Sequence, residues 1–533
     1  MMRKLPIGIQ DFASLREGGY LYVDKTRFIH KLASEGKVYF LSRPRRFGKS
    51  LLMSAMDAYF SGKRKLFRGL EIEKLEEERP ADPSGTAWLQ GPVIHLDFNS
   101  VSCDSAEHLQ RSIGSMLKRF EKRWGLEDED ELNADRFYNL IQKMHDDTGR
   151  KVTVLVDEYD KPLINTMHDE PLNDQLRDEL KAFYSVLKTA DGYLRFVLLT
   201  GVTKFSHVSI FSDLNQLKDI SLIEDYNEIC GLTEQEIRHT FGPELDAFGD
   251  ASHLGSEEVL REMSRWYDGY LFARHGTGIF NPYSVLNALD RKEFGNYWFT
   301  TGTPTFLINM LRKVNFTIPD MADGIVAKQE AFTAYRSSMN EPLPLFYQSG
   351  YLTIKGYDPE YQRYTLGFPN YEVRYSFLNW LLPEYFKDAS GDTGMTADEF
   401  ADAVRTGDID RFMSKLKSLL ASVAYDDSSA ADKTASYEHT YRTAVYLIFT
   451  LCGQDLRPEV HMSKGRSDAV LQLKDKVYIF EFKMKENGDA EDALRQIDRQ
   501  QYALAYAASA KRIIKIGVVF DPDERNIVDY KIE

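Results

Sequence analysis

The order of residues between Lys37 and Ser54 constrains this chain more than any other stretch. Val38, Tyr39, Phe40 and Leu41 have the β-branched and aromatic content of a short buried strand, and Leu51, Leu52, Met53, Ala55 and Met56 suit a helix. Between them lies Arg43-Pro-Arg-Arg-Phe-Gly-Lys-Ser50. A strand that turns straight into a helix aims several backbone N–H groups, and the positive end of the helix dipole, at one point suited to phosphate. Lys49 would reach the terminal phosphates of a nucleotide, and the Ser50 hydroxyl would take a place on Mg²⁺. The full P-loop pattern carries a glycine five residues before Gly48. Here that position is Arg43, so the match is partial.

About a hundred residues later, Lys151-Val-Thr-Val-Leu-Val-Asp157-Glu158 forms a continuous apolar run ending in two carboxylates. At the mouth of a parallel strand Asp157 can hold the water shell of Mg²⁺, and Glu158 can orient or deprotonate an attacking water. A buried strand followed by a solvated acidic turn has the same local pattern; the order and spacing of the two motifs together argue against it. A further apolar strand, Tyr193 to Thr200, runs into Gly201-Val-Thr203-Lys204. Thr200 and Lys204 are candidates to sense a γ-phosphate, with an ordinary turn and surface lysine as the plainer reading. Strands at Pro92–Phe98 and helices at Ala106–Trp124, Ala134–His145 and Leu176–Ala190 complete an α/β domain with a mostly parallel sheet. Its ligand belongs at the carboxyl ends of the strands. Residues 1–36, with a helix from about Arg27 to Ser34 and Asp24 or Thr26 as its N-cap, either fold over the base or simply dock.

A length of 533 residues implies two to four domains. With 43% hydrophobic and 13% aromatic residues, the chain can bury cores rather than stay disordered. A net charge of −15 and a pI near 5.4 argue against broad, nonspecific coating of nucleic acid, though not against a local basic groove. Cys103, Cys230 and Cys452 are scattered without metal-ligand spacing, which fits a reducing cytoplasm. The sequence offers neither a signal-peptide core nor an apolar run approaching the roughly 20 residues that cross a bilayer, so a soluble protein without membrane contact is expected. The expected divisions are 1–230 for the α/β core and 231–300 for a helical lid opened by the capping box Thr233-Glu-Gln-Glu236. A mixed region follows at 301–425, with a hairpin around Gly350–Phe368. The polar linker Asp426–Ser436 then leads to a small α/β domain at 437–533.

That last segment carries a second chemical pattern. An apolar-periodic helix, Tyr437 to Leu451, holds Glu438 near its start. Asp468 lies early in one strand, within His461-Met-Ser-Lys-Gly-Arg-Ser-Asp468-Ala-Val-Leu-Gln-Leu, and Lys476-Val-Tyr-Ile-Phe-Glu481-Phe-Lys483 forms its neighbour across a turn near Lys474–Asp475, with a later strand at Ile513–Phe520. Glu481 and Lys483 are two apart, so they share a face that Asp468 can reach. Carboxylates on neighbouring strands make a hard oxygen site for Mg²⁺ or Mn²⁺. A lysine beside them can activate water or neutralise charge on a phosphodiester. A solvent-facing hairpin with an incidental ion pair is the competing reading.

Asp468 with Glu481-Phe-Lys483 resembles the PD-(D/E)XK nuclease superfamily. Tyr22-Val-Asp-Lys-Thr26, Arg43-Pro-Arg-Arg-Phe-Gly-Lys-Ser50 and Thr200-Gly-Val-Thr-Lys-Phe-Ser206 resemble bacterial AAA-ATPase-like proteins that carry such a nuclease domain at their C-terminus. The resemblance covers nearly the whole chain, and Arg43 fits that family's variant of the loop. It implies a nucleotide-contact segment running through Arg45, Arg46, Phe47, Gly48, Lys49, Ser50 and Leu51. It also implies Asp157 and Ser50 toward Mg²⁺ and Glu158 as hydrolytic base; spacing identifies no trans-acting arginine, and Arg45 and Arg46 are the candidates because they lie beside the expected phosphates. For the nuclease it implies Glu438, Asp468 and Glu481 as metal ligands and Lys483 as catalytic lysine; Gln496 and Tyr502 match the following helix loosely. The expected function is therefore an ATP-dependent nuclease, using Mg²⁺ or Mn²⁺, that acts on DNA or RNA, with homo-oligomer formation left open. The alternatives are a nucleotide-operated switch or assembly platform whose C-terminal domain binds without cutting, and a chain whose ATP site is only structural. The near-neutral charge of the C-terminal segment keeps the first alternative open, since a surface that grips DNA usually carries excess lysine and arginine.

Overall fold

The computed structural model describes residues 3–79, 88–126, 132–204, 216–301, 324–333, 342–385, 393–421, 468–473, 475–506, 511–524 and 526–533. The chain divides into two compact units, Met1–Phe316 with Gly324–Val373, and Thr317–Asp323 with Arg374–Glu533. The linker expected at 426–436, the helix expected at 437–451 and Cys452 lie outside the described residues.

The first unit is built on five parallel strands: β1 (Val38–Ser42), β2 (Val93–Asp97), β3 (Val152–Asp157), β4 (Leu194–Gly201) and β5 (Lys218–Asp219), in the order β2-β3-β4-β1-β5. Every residue of β3 is buried, as is all of β4 except one position. That is the signature of central strands covered on both faces, and it explains why their sequences are unbroken apolar runs. Amphipathic helices make the crossovers: α1 (Thr26–Glu35) precedes β1, α2 (Lys49–Phe60) follows it, α3 (Ala106–Trp124) and α4 (Asn133–Thr148) lie between β2 and β3, and α5 (Glu170–Thr189) leads to β4. The N-cap of α1 is Lys25, not Asp24 or Thr26. Asp24 Oδ1 instead accepts from the Thr26 backbone N–H and hydroxyl, satisfying the helix start from one residue further out.

The lid expected from the capping box is helical. In α6 (Glu234–Ser252) the Thr233 hydroxyl accepts from Glu236 N while the Glu236 carboxylate accepts from Thr233 N. The helix kinks at Phe241, ahead of Pro243, whose ring cannot continue the ladder. With α7 (Ser256–Tyr267) and α8 (Pro282–Arg291) it closes over Ile237, Phe248, Val259, Met263 and Val285. The hairpin expected near Gly350–Phe368 is present as β7 (Thr353–Asp358) and β8 (Arg363–Gly367), joined by β6 (Ile325–Ala327), and α9 (Tyr371–Tyr385) follows.

In the second unit the sheet order is β12-β11-β10-β9, from β9 (Asp468–Gln472), β10 (Lys476–Met484), β11 (Arg512–Asp521) and β12 (Asn526–Ile532). Only β10 and β11 run parallel. Helices α10 (Thr393–Thr406) and α11 (Ile409–Ala421) support one side, where Tyr478 Oη donates to the Val404 carbonyl at 3.0 Å and Phe412 meets Phe480 with ring centroids 5.7 Å apart. Helix α12 (Ala490–Arg499) lies against β10 and β11. Among the described residues no helix is long and apolar enough to cross a membrane.

Candidate functional site

The loop after β1 enters α2 through Gly48, whose φ of 95° lies in the left-handed region that costs a side-chain-bearing residue about 1–2 kcal/mol. No atom lies within 4 Å of where a Cβ would stand, so backbone conformation, not space, selects glycine there. Arg43 needs no such freedom, since its φ is not positive. Its side chain is only 1% exposed and donates to the carbonyls of Ser42, Ser221 and Tyr226 at 2.8–2.9 Å, with the guanidinium 4.2 Å from the Phe272 ring centroid. The residue in the glycine's place is thus an internal strut beneath the loop. Lys49 is folded onto the same loop. Its ammonium donates to the Arg43 carbonyl at 2.9 Å and the Pro44 carbonyl at 3.3 Å, and stands 3.5 Å from Glu158 Oε1.

Strand β4 separates the strand of this loop from β3, with Leu41 opposite Thr200 and Ser42 opposite Gly201. Thr200 therefore reaches Asp157, and its hydroxyl donates to Asp157 Oδ1 at 2.5 Å; the Glu158 N–H adds a second bond to the same oxygen at 3.1 Å. Both Thr200 and Asp157 are buried, whereas Glu158 is partly open and has φ 52°. A glutamate held in the left-handed region is locally strained, and it turns its carboxylate toward Lys49. Asp160, fully buried, accepts from Val202 N, Thr203 N and the Thr203 hydroxyl at 3.1, 2.5 and 2.7 Å. Burial, then the nearby Glu158 charge, push its carboxyl up to about 6. A Cβ on Gly201 would stand 2.4 Å from Asp160 Oδ1, so the turn after β4 and the turn after β3 are pressed together.

Other sequence candidates fall at different distances from this centre. Lys204, offered as either a phosphate sensor or an ordinary turn lysine, has its ammonium paired with Asp219 at 2.6 Å, at the edge strand β5. Phe47 is buried edge-on against Tyr270 and Phe272. Arg46 has φ 68° and lays its guanidinium 4.7 Å over the Tyr283 ring, and the Arg45 carbonyl accepts from the Trp298 indole at 3.1 Å. Gly48 and Leu51 line an apolar cleft completed by Pro6, Tyr22, Lys25 and Cys230, among others. Lys25 is bound there to both oxygens of Glu236 at 2.6 and 2.7 Å, and burial raises the Cys230 thiol, leaving it a poor nucleophile.

In the second unit Asp468 and Glu481 are directly paired across the β9–β10 ladder. Glu481 is 1% exposed, and its Oε2 has no hydrogen-bond partner among the described residues. Lys483, two residues on, donates to Gln496 Oε1 of α12 at 2.9 Å. Gly517 makes that reach possible: it pairs with Glu481, and a Cβ there would lie 2.2 Å from the Ala490 carbonyl, so only glycine lets α12 settle so close. Tyr502 packs instead on the apolar cluster of Val470, Val477 and Ile479. Glu438 and the Asp468 side chain lie outside the described residues, and among the described residues no three His, Cys, Asp or Glu groups gather into a metal cage.

Comparison with known proteins adds a separate line. Residues 6–211 match the family model described as a predicted AAA-ATPase, and residues 436–530 match the PD-(D/E)XK nuclease superfamily. A protein of Azotobacter chroococcum mcd 1, described as an uncharacterized protein in the vnfD 5′ region, is 36% identical over 538 residues, spanning 100% of this chain and 99% of its own. The chain belongs to the AAA-ATPase-like proteins with a C-terminal PD-(D/E)XK domain.

In the AAA-ATPase-like domain the donor set fits a Mg²⁺–nucleotide. A buried carboxylate at a strand end and a half-buried Ser50 opening α2 are oxygen groups suited to Mg²⁺, and the loop carbonyls and Glu158 that hold Lys49 are acceptors that phosphate oxygens can replace. In the PD-(D/E)XK domain the Glu481 oxygen that has no partner among the described residues suits a hard cation. Sequence reasoning missed Asp160 and Trp298. Asp160 stands two residues beyond the acidic pair, where it reads as a continuation of an acidic turn. Trp298 lies 253 residues from its partner in the loop and carries no local signal.

Proposed function

We propose that the AAA-ATPase-like domain binds and hydrolyses ATP with Mg²⁺, and that the PD-(D/E)XK domain uses Mg²⁺ or Mn²⁺ to cut nucleic-acid phosphodiesters under the control of that nucleotide. The observation that carries the first half is the convergence of Lys49, Asp157, Glu158 and Thr200 at the carboxyl ends of three adjacent strands. Lys49 exchanges its loop carbonyls for β- and γ-phosphate oxygens, while the amides around Gly48 take the same anion. The Thr200 hydroxyl holds Asp157 Oδ1, and Asp157 would hold the cation through its water shell. Glu158, released from Lys49 as that lysine turns to phosphate, orients and accepts a proton from the attacking water. The apolar cleft beside Gly48, with Tyr22 from the N-terminal segment, takes the base.

In the second domain Glu481, with Asp468 opposite it, would hold the cation, and Gln496 fixes the Lys483 ammonium where it can neutralise charge on the scissile phosphate. The cation itself supplies Lewis acidity and a more acidic bound water. Purified protein tested for phosphate release from ATP, and for cleavage of plasmid, single-stranded DNA and RNA with Mn²⁺ with and without ATP, decides the matter. Lys49→Ala should abolish turnover, and Glu481→Ala should abolish cleavage while sparing turnover. Retention of nucleic acid without any cut, at full ATP turnover, would instead establish a nucleotide-operated binding platform.

A further inference from the structure

The phosphate loop is fastened from the lid side by two residues that no motif contains. The indole N–H of Trp298 donates to the Arg45 carbonyl at 3.1 Å, and the Trp298 side chain is 6% exposed. Trp298 is seated in turn by Glu372, near the start of α9. Glu372 Oε1 accepts from the Trp298 backbone N–H at 2.6 Å, its Oε2 accepts from the Ser284 hydroxyl at 2.7 Å, and the backbone N–H groups of Tyr297 and Phe299 also bond the carboxylate. Glu372 is 1% exposed. The residue before Ser284 is Tyr283, whose ring carries the Arg46 guanidinium.

The consequence follows from peptide geometry. Within one trans peptide the C=O and the next N–H point in opposite directions. Holding the Arg45 carbonyl on Trp298 therefore turns the Arg46 N–H to the opposite side, and the φ of 68° at Arg46 continues the chain into the left-handed Gly48. Consecutive N–H groups set in this way form an anion-binding concavity.

We infer that Trp298, seated by Glu372, is a positioning residue that presets the phosphate loop's amides, so that the lid controls affinity for the phosphates of the nucleotide. The inference rests on the ATP-binding reading above. A residue acting only on the stability of the fold would weaken all ligands of the cleft alike. One acting on the loop amides weakens ATP and leaves a phosphate-free nucleoside unaffected.

The test uses full-length protein and three variants. Trp298→Phe keeps the ring and deletes the donor, Glu372→Ala empties the seat, and Glu372→Gln keeps an acceptor for the Trp298 N–H and a partner for Ser284. Calorimetric titration with Mg·ATP and with adenosine reads the effect. Trp298→Phe is expected to weaken ATP about tenfold, the loss of one hydrogen bond, and adenosine less than twofold. Glu372→Ala should follow it, and Glu372→Gln should restore ATP affinity. Should Glu372→Ala fail to fold, Trp298→Phe alone decides. Equal ATP affinity in Trp298→Phe and wild type, or parallel losses for ATP and adenosine, would overturn the inference while leaving the ATP reading intact. A wild-type chain that binds no ATP removes both.

Discussion

Asp160 offers the sharpest test of how the candidate nucleotide site is assembled. Its carboxylate is the acceptor for Val202 N, Thr203 N and the Thr203 hydroxyl, all in the turn that follows β4. Asp160→Ala deletes that acceptor and leaves two buried N–H groups unsatisfied. At roughly 1–3 kcal/mol for each stranded donor, the first unit should lose about 3–5 kcal/mol. Asp160→Asn keeps an oxygen for the Thr203 donors, so its cost should be about 1–2 kcal/mol. Thr200, whose hydroxyl holds Asp157, lies at the end of β4 just before this turn, so loosening the turn should lower ATP turnover more than ATP affinity. Urea unfolding of the full chain at pH 7.5, followed by fluorescence and circular dichroism so that the two units' transitions separate, reads stability; phosphate release reads turnover. An Asp160→Ala protein within about 0.5 kcal/mol of wild type and fully active would refute the claim that this carboxylate ties the two turns together.

Thr200→Val, nearly isosteric, removes the hydroxyl bond to Asp157 and should cut turnover at least tenfold while ATP affinity changes only a few-fold, as seen in steady-state kinetics and titration. Glu481→Gln removes a buried carboxylate whose Oε2 has no hydrogen-bond partner among the described residues, so metal-dependent cleavage should vanish while the second unit gains about 1 kcal/mol in thermal unfolding; a less stable variant would contradict the reading of Oε2. Burial pushes Glu372 up to about 7. A carboxyl raised in the folded state contributes stability that is fully present below its ordinary value and lost as pH climbs through 7. Glu372→Gln should therefore gain about 1 kcal/mol on the wild type between pH 6 and pH 8, and parallel stability curves would refute it.

The candidate site residues were legible because their signals are local. A buried strand broken by Gly-Lys-Ser, an apolar run ending in Asp157-Glu158, and Glu481 and Lys483 at strand spacing are all patterns over a few residues. Periodicity and turn chemistry act at that range. The resemblance to AAA-ATPase-like and PD-(D/E)XK proteins rested on the same short motifs, and the family models match the corresponding segments. Lys204 shows the limit: its place after β4 left a phosphate contact and an ordinary turn lysine both open, and the fold paired it with Asp219.

Sequence alone determined which side chains could grip phosphate and which strands had to be buried. Tertiary structure decided that β4 enters between the loop strand and the acidic strand, which brings Thr200 to Asp157. It made Arg43 a buried strut rather than a missing glycine, set Trp298 on the Arg45 carbonyl, and used Gly517 to bring Gln496 to Lys483. The physical reason is the same in each case. Such pairings join residues far apart in the chain, and what selects them is the satisfaction of buried donors and acceptors once the core has closed, a condition no short window of sequence contains.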